Sequence, residues 1–168
     1  MDLTVVRQAV EQLNYDWRQF TLDDFIRHVQ QHRGRPITII GVSLLEFSGL
    51  CLSTPVQDYI FYATNRHPTL QQHAKLHEIA HLVLDHTLLA QYRLQSNPHL
   101  EILLHVKTRQ HRTRLDPQLQ REEDEAEYFA FLVQKAVAER QRLHELLLTD
   151  ADDDVYLPPF TGEFFTGS

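Results

Sequence analysis

Two histidines and a glutamate stand close together in the stretch KLHEIAHLVL, residues 75–84. His77 and His81 are four residues apart, so on a helix both imidazoles can reach one ion about 2 Å from each nitrogen. Glu78 is rotated by about 100° from His77 and can act on an activated water without being a ligand. The pattern predicts zinc-dependent peptide hydrolysis, with Glu78 taking a proton from water and delivering it to the leaving nitrogen. Because the chain contains 11 histidines, the motif needs support from its context.

A catalytic zinc normally has three protein ligands, so a third ligand must come from elsewhere in the chain. The stretch REEDEAEYFAFL, residues 121–132, inserts carboxylates among apolar positions of a second predicted helix. Its apolar stripe consists of Leu119, Ala126, Phe129, Ala130, Val133 and Val137. Glu122 and Glu123 fall within the angular limits of this stripe, whereas Asp124 and Glu125 do not. A carboxylate facing a core is costly unless it is paired or bound to metal, so Glu122 or Glu123 is the predicted ligand. Periodicity does not choose between them.

The elements that position these residues can be read from turn and capping signals. Val5 to Leu13 predicts an amphipathic helix, and a second helix starts at Thr21 and stops at Gly34 and Pro36. Three β-rich runs follow, separated by turns of hairpin-like length: Ile37 to Val42, Leu50 to Thr54 and Tyr59 to Thr64. They predict a small, largely antiparallel sheet.

The two helices that contain the candidate ligands follow the sheet in the chain. Thr69 is the predicted cap of the motif helix, which we expect to run to about Ala90. Asp116 and Pro117 start the second long helix, with Asp116 as its cap. The expected fold is α+β: a small, largely antiparallel sheet packed on a zincin-type active-site helix and a second long helix.

Composition limits the domain organisation and the partners. The 168 residues, 42% of them hydrophobic, fit one domain over 1–149, followed by an acidic, flexible tail over 150–168. That tail holds five of the acids behind the net charge of −7 and no Lys or Arg, which leaves a nearly neutral body. We therefore expect no direct binding of nucleic acid. The sequence shows neither an export signal nor a membrane span, which favours a cytoplasmic protein.

The motif and its surroundings resemble the ImmA/IrrE family of zinc metallopeptidases. The resemblance rests on HEIAHLVLDH, residues 77–86, on the preceding DYIFYATN, and on EDEAEYFA, residues 123–130, which is similar to the family's E-x-E-A-[ND]-x-F-A. It covers roughly residues 37–135. In such gluzincin-like sites a glutamate is the third ligand, which favours Glu123. A carboxylate or amide one turn later, here Glu127 in place of the usual Asn or Asp, orients a ligating imidazole.

The resemblance implies a regulatory zinc endopeptidase with one Zn²⁺ per chain. The usual substrate of the family is a helix-turn-helix repressor, whose cleavage allows transcription of stress, phage or mobile-element genes. We expect an edge strand, Tyr59 to Thr64, to hold the extended peptide by main-chain pairing. The alternative is a non-proteolytic, metal-containing partner-binding module, such as a toxin-antitoxin or regulatory component. The sequence does not indicate the oligomeric state.

Several further residues are candidates for secondary roles. Asp85 could contact a ligating imidazole but is more typical of an exposed acid at a helix end, and His73 is more typical of a surface or the rim of the site. A donor beside the substrate carbonyl is needed to stabilise the oxyanion. Candidates for that donor are His86, His105, His111 and Tyr128, and nothing in the sequence selects one.

Overall fold

The computed structural model describes residues 3–43, 48–86 and 116–149. The expected tail at 150–168, together with His105 and His111, lies outside the described residues. The elements, in chain order, are α1 Thr4–Gln12, a 3-10 turn Trp17–Gln19, α2 Leu22–Arg33, β1 Ile37–Val42, β2 Gly49–Ser53, β3 Asp58–Ala63, α3 Pro68–Val83 and α4 Pro117–Thr149. The α+β class is confirmed.

Local capping signals account for most of the helix ends. Thr21 Oγ1 accepts the N–H of Asp24 at 3.1 Å and begins α2, and Gly34 ends it with a left-handed φ of 67°. Asp116 Oδ1 accepts the N–H of Gln118 at 2.9 Å, which confirms the predicted cap of α4. No helix in the described part of the chain has the length and apolar character needed to cross a membrane.

The predicted ends of α3 are wrong at both termini. His67, not Thr69, is the N-cap, and its Nδ1 accepts the N–H of Thr69 at 3.3 Å. Because Pro68 takes the first helical position, Thr69 already lies inside the first turn. The helix ends at Val83 rather than near Ala90.

The sheet is mixed, and its strand order is β1-β3-β2. Strands β2 and β3 form the expected antiparallel pair, with Cys51 opposite Ile60. Strand β1 pairs in parallel with the other edge of β3, with Ile39 opposite Ile60. The prediction of a largely antiparallel sheet is therefore wrong for one of two pairings. The predicted edge strand is also wrong, because β3 is central and β2 is an edge strand of the described sheet.

The hydrophobic core lies between one face of the sheet and the helices. It contains Ile37, Cys51 and Ile60 from the strands, together with buried residues of all four helices. The predicted stripe of α4 is confirmed where it meets this core, because the following four side chains are fully buried: Ala126, Phe129, Ala130 and Val133. The other sheet face carries a second cluster formed by Val42, Leu50, Leu52 and Phe61.

A buried carboxylate at the start of β3 ties the sheet to the ends of two helices. Asp58 is fully buried, and Arg33 Nε at the end of α2 donates to its Oδ2 at 2.8 Å. The hydroxyl of Ser53 donates to Oδ1 of the same carboxylate at 2.5 Å. Arg33 also donates through Nη1 to the carbonyl of Leu82, near the end of α3. One guanidinium therefore links α2, β3 and α3.

We expect Arg33→Met to lower the free energy of unfolding by about 3 kcal/mol, because it leaves the Asp58 carboxylate buried without its main cation. Urea denaturation followed by circular dichroism measures this difference. The matched control is Arg27→Met, which removes an exposed ion pair to Asp24 and should change stability far less. Equal losses in the two variants would contradict a structural role for the buried pair.

Candidate metal centre

The packing of α3 on α4 brings three potential ligands together. His77 Nε2 lies 3.2 Å from His81 Nε2 and 3.2 Å from Glu123 Oε2. His81 Nε2 lies 3.8 Å from the other oxygen of Glu123. One ligand atom from each residue falls within 4.8 Å of the other two. These three residues are named here the ligand cluster.

The spacing of the ligand cluster fits a tetrahedral ion. Zinc–nitrogen bonds of about 2.0–2.1 Å at the tetrahedral angle place neighbouring ligand atoms about 3.3 Å apart. The two distances of 3.2 Å are close to that value, and the contact of 3.8 Å is somewhat longer. Two imidazoles and one carboxylate are also a common donor set of catalytic zinc. The residues present therefore fit the ion that the motif predicts.

The other ring nitrogen of each histidine has its own partner. Glu127 Oε2 lies 3.3 Å from His77 Nδ1 and 3.0 Å from His73 Nε2. His86 Nδ1 lies 2.9 Å from His81 Nδ1. Because a partner occupies each Nδ1, both histidines can direct the lone pair of Nε2 into the cluster. Glu127 thus lies where the resemblance expects it, and His73 lies at the rim.

Of the two glutamates that periodicity left open, only Glu123 joins the ligand cluster. Glu122 is also buried but lies outside the ligand cluster, and the side-chain amide of Gln118 lies 3.4 Å from the Glu122 carboxylate. The expectation that Glu125 lies off the buried face of α4 is wrong, since only 7% of this residue is exposed. Its two carboxylate oxygens face Arg121 at 2.7 Å and His86 at 3.3 Å. His86, three residues past the end of α3, covers this second face of α4, which periodicity does not reveal.

Glu78, the predicted base, is buried beside the edge strand. It is 3% exposed and is not a member of the ligand cluster. A Cβ atom added to Gly49 at the start of β2 would lie 2.8 Å from Glu78 Cγ and 2.9 Å from its Oε1. The same atom would lie 3.3 Å from the carbonyl oxygen of Ala74. Gly49 therefore provides the space in which the Glu78 side chain lies, and the sequence analysis missed it.

A tight turn at the end of α3 brings His86 back onto the helix. The N–H of His86 donates to the carbonyl of His81 at 3.1 Å, and the N–H of Asp85 donates to Leu82 at 3.4 Å. This pair of bonds is the Schellman motif, with Asp85 at the left-handed position, φ 52°. Asp85 is exposed, as expected of an acid at a helix end.

The environment of His86 favours its neutral form. Burial lowers the pKa of His86 below its ordinary value, although the carboxylates of Glu122 and Glu125 oppose this shift. Its Nε2 is buried and faces Glu125 Oε2, but the two groups are not aligned as a hydrogen bond. The sequence offered His86 only as one of four candidate oxyanion donors. Another of them, Tyr128, accepts a hydrogen bond from Arg7 of α1 at 3.1 Å.

Comparisons with models of known families, with curated proteins and with solved structures give no significant match.

We expect Gly49→Ala to lower the free energy of unfolding by about 1–3 kcal/mol, because the added methyl group overlaps the Glu78 side chain. Chemical denaturation measures the loss. Combining Gly49→Ala with Glu78→Ala should recover much of it, because the second change removes the overlapping atoms.

The matched control is Gly49→Ala combined with Glu78→Gln. Glutamine fills the same volume as glutamate, so the added methyl group should lower the free energy of unfolding by as much in this background as in the wild type. The same cost in the Glu78→Ala background would show that Gly49 does not shape the position of Glu78.

Proposed function

We propose that the chain is a zinc-dependent endopeptidase that acts on a protein substrate, with one Zn²⁺ per chain. The observation that carries the proposal is the convergence of His77 Nε2, His81 Nε2 and the Glu123 carboxylate, 3.2–3.8 Å apart. Three protein donors leave one tetrahedral position for water or substrate, which is the arrangement of catalytic zinc rather than structural zinc.

The chain itself supplies the groups for proton transfer and for orienting the ligands. A zinc ion held by His77, His81 and Glu123 would supply Lewis acidity to activate water and polarise a peptide carbonyl. Glu78 follows His77 directly and is the general base, which accepts the proton from water and returns it to the leaving nitrogen. Glu127 holds His77 through Nδ1 at 3.3 Å, so that Nε2 stays directed into the ligand cluster, where it would hold the ion.

The edge of the sheet beside α3 is the proposed place for an extended substrate. The sequence analysis expected residues 59–64 to bind the extended peptide, but β3 is central. We therefore assign peptide binding to the edge strand β2, whose first residue, Gly49, lies against Glu78. Main-chain pairing along an edge strand holds a peptide with little dependence on its sequence. A peptide on β2 would therefore pass close to the base.

The substrate class comes from the family resemblance. The stretches HEIAHLVLDH and EDEAEYFA resemble those of the ImmA/IrrE metallopeptidases, and their contacts in the ligand cluster support that comparison. A helix-turn-helix repressor is accordingly the proposed substrate, and the cytoplasm, where such a repressor acts, is the proposed compartment.

We expect the purified protein to contain about one zinc ion per chain by elemental analysis, and His77→Ala combined with His81→Ala to contain almost none. Glu123→Gln should weaken zinc binding strongly, because it removes the anionic ligand of the cluster. A chelator-competition titration measures each affinity.

Asp124→Asn is the matched control for the ligand test. Asp124 is exposed, and its carboxylate accepts a hydrogen bond from Gln120 at 3.1 Å, one turn away on the same helix. Its variant should bind zinc as the wild type does. Wild-type affinity in Glu123→Gln would remove Glu123 from the ligand set.

We expect Glu78→Gln to keep its zinc and its fold while peptide cleavage falls by about 10² to 10⁴-fold, because glutamine keeps the volume and removes the base. The assay incubates wild type and variant with a candidate helix-turn-helix repressor, such as any that is encoded beside the gene, and follows fragments by mass spectrometry. Complex formation is measured separately by analytical ultracentrifugation.

The same assay distinguishes the protease from a partner-binding module. Undiminished cleavage by Glu78→Gln would reject Glu78 as the base. If the zinc-loaded wild type binds the repressor tightly without cutting it, the alternative function, a metal-containing binding module, is supported instead.

A further inference from the structure

The second ring nitrogen of His81 faces another histidine. His81 is fully buried, and its Nδ1 lies 2.9 Å from Nδ1 of His86, which is itself 6% exposed. Two neutral imidazoles make such a contact only when one nitrogen carries the hydrogen and the other accepts it. The position of that hydrogen decides which nitrogen of His81 has a free lone pair.

Glu125 favours one of the two tautomers of His86. The Nε2 atom of His86 lies 3.3 Å from Glu125 Oε2, out of line for a hydrogen bond, but the negative charge of the carboxylate still favours a hydrogen rather than a lone pair on the nitrogen that faces it. His86 is therefore favoured with its hydrogen on Nε2, which leaves Nδ1 as an acceptor. His81 must then carry its hydrogen on Nδ1, and its Nε2 lone pair points into the ligand cluster.

His86 and Glu125 are each held in place by a further contact. The turn after α3 fixes the backbone of His86, because its N–H donates to the His81 carbonyl at 3.1 Å. Arg121 Nε donates to Glu125 Oε1 at 2.7 Å, which holds that carboxylate on the side of α4 facing His86. The ring of His81 is thus oriented before any ion arrives.

We propose that His86 and Glu125 form a positioning pair that fixes the tautomer and the ring orientation of His81 for metal binding. The pair rests on the proposed zinc site, but it makes a separate claim about His81 in the metal-free protein. His86 contacts His81 at Nδ1 rather than at the ligand atom Nε2, and Glu125 contacts His86, so both act through His81.

The test compares His86→Phe with His86→Asn. Phenylalanine fills the volume and removes the acceptor, so zinc affinity should fall by about 10 to 100-fold, the usual effect of losing a partner of a metal ligand. Asparagine places an amide oxygen near the position of Nδ1 and should restore most of the affinity. Circular dichroism establishes that each variant is folded.

A second readout needs no metal. Nitrogen-15 NMR of the metal-free protein at about pH 8, above the ordinary pKa of histidine, reports which nitrogen of His81 carries the hydrogen. We expect Nδ1–H in the wild type and in His86→Asn. In His86→Phe we expect a shift towards Nε2–H, the form that free histidine prefers.

Glu125→Leu tests the outer member of the pair and provides a second route if His86→Phe does not fold. It should shift the tautomer of His81 in the same direction and weaken zinc binding. The matched control is Asp124→Leu, at the exposed neighbouring position, which should change neither readout.

The outcomes separate this proposal from the zinc site itself. Wild-type zinc affinity together with an unchanged tautomer in His86→Phe and Glu125→Leu would overturn the positioning pair and leave the site intact. If the wild type binds no zinc but has the hydrogen of His81 on Nδ1, and the two variants shift it towards Nε2, the ordering of His81 is supported and the metal site is rejected.

Discussion

The close packing of α3 against α4 is the contact on which the rest of the arrangement depends. The histidines belong to one helix and the carboxylate that faces them belongs to the other, so neither helix alone contains the complete cluster. Small buried residues from both helices, Ala80, Ala126 and Ala130, allow the two helix axes to approach closely. The sheet and α2 hold α3 from its other side through Arg33 and Asp58.

Within one turn and a half of α4, three carboxylates make three different contacts. Glu123 faces the Nε2 atoms, Glu127 faces the Nδ1 atom of His77, and Glu125 faces His86 on another side of the helix. Glu125 is buried and Glu123 is half-buried, which is unfavourable without compensating charge, whereas Glu127 is exposed. Arg121 supplies positive charge beside Glu125, the imidazoles supply N–H donors, and a divalent cation in the cluster would complete the compensation.

Much of the fold could be predicted because its signals are local. Thr21, Gly34 and Asp116 mark helix ends through their own side chains or backbone angles, and the apolar stripe of α4 follows from spacing alone. The strand order could not be read in this way, because β1 pairs with a strand that is not its neighbour in the chain. In the site, spacing identified His77 and His81 but left Glu122 and Glu123 open. The contact of His86 with His81 and the burial of Glu125 could not be predicted, because the sequence analysis extended the helix through the turn at Asp85 that produces them.

Because of that turn, the contact between His81 and His86 depends on where α3 ends. At about 100° and 1.5 Å per residue, a continued helix would carry His86 about 140° around the axis and about 7.5 Å along it, away from His81. The chain instead reverses at Asp85, a non-glycine residue in the left-handed region, and His86 returns to the face it would otherwise have left. The residues that terminate the helix therefore set the position of His86, and one added helical residue would move its Nδ1 away from His81.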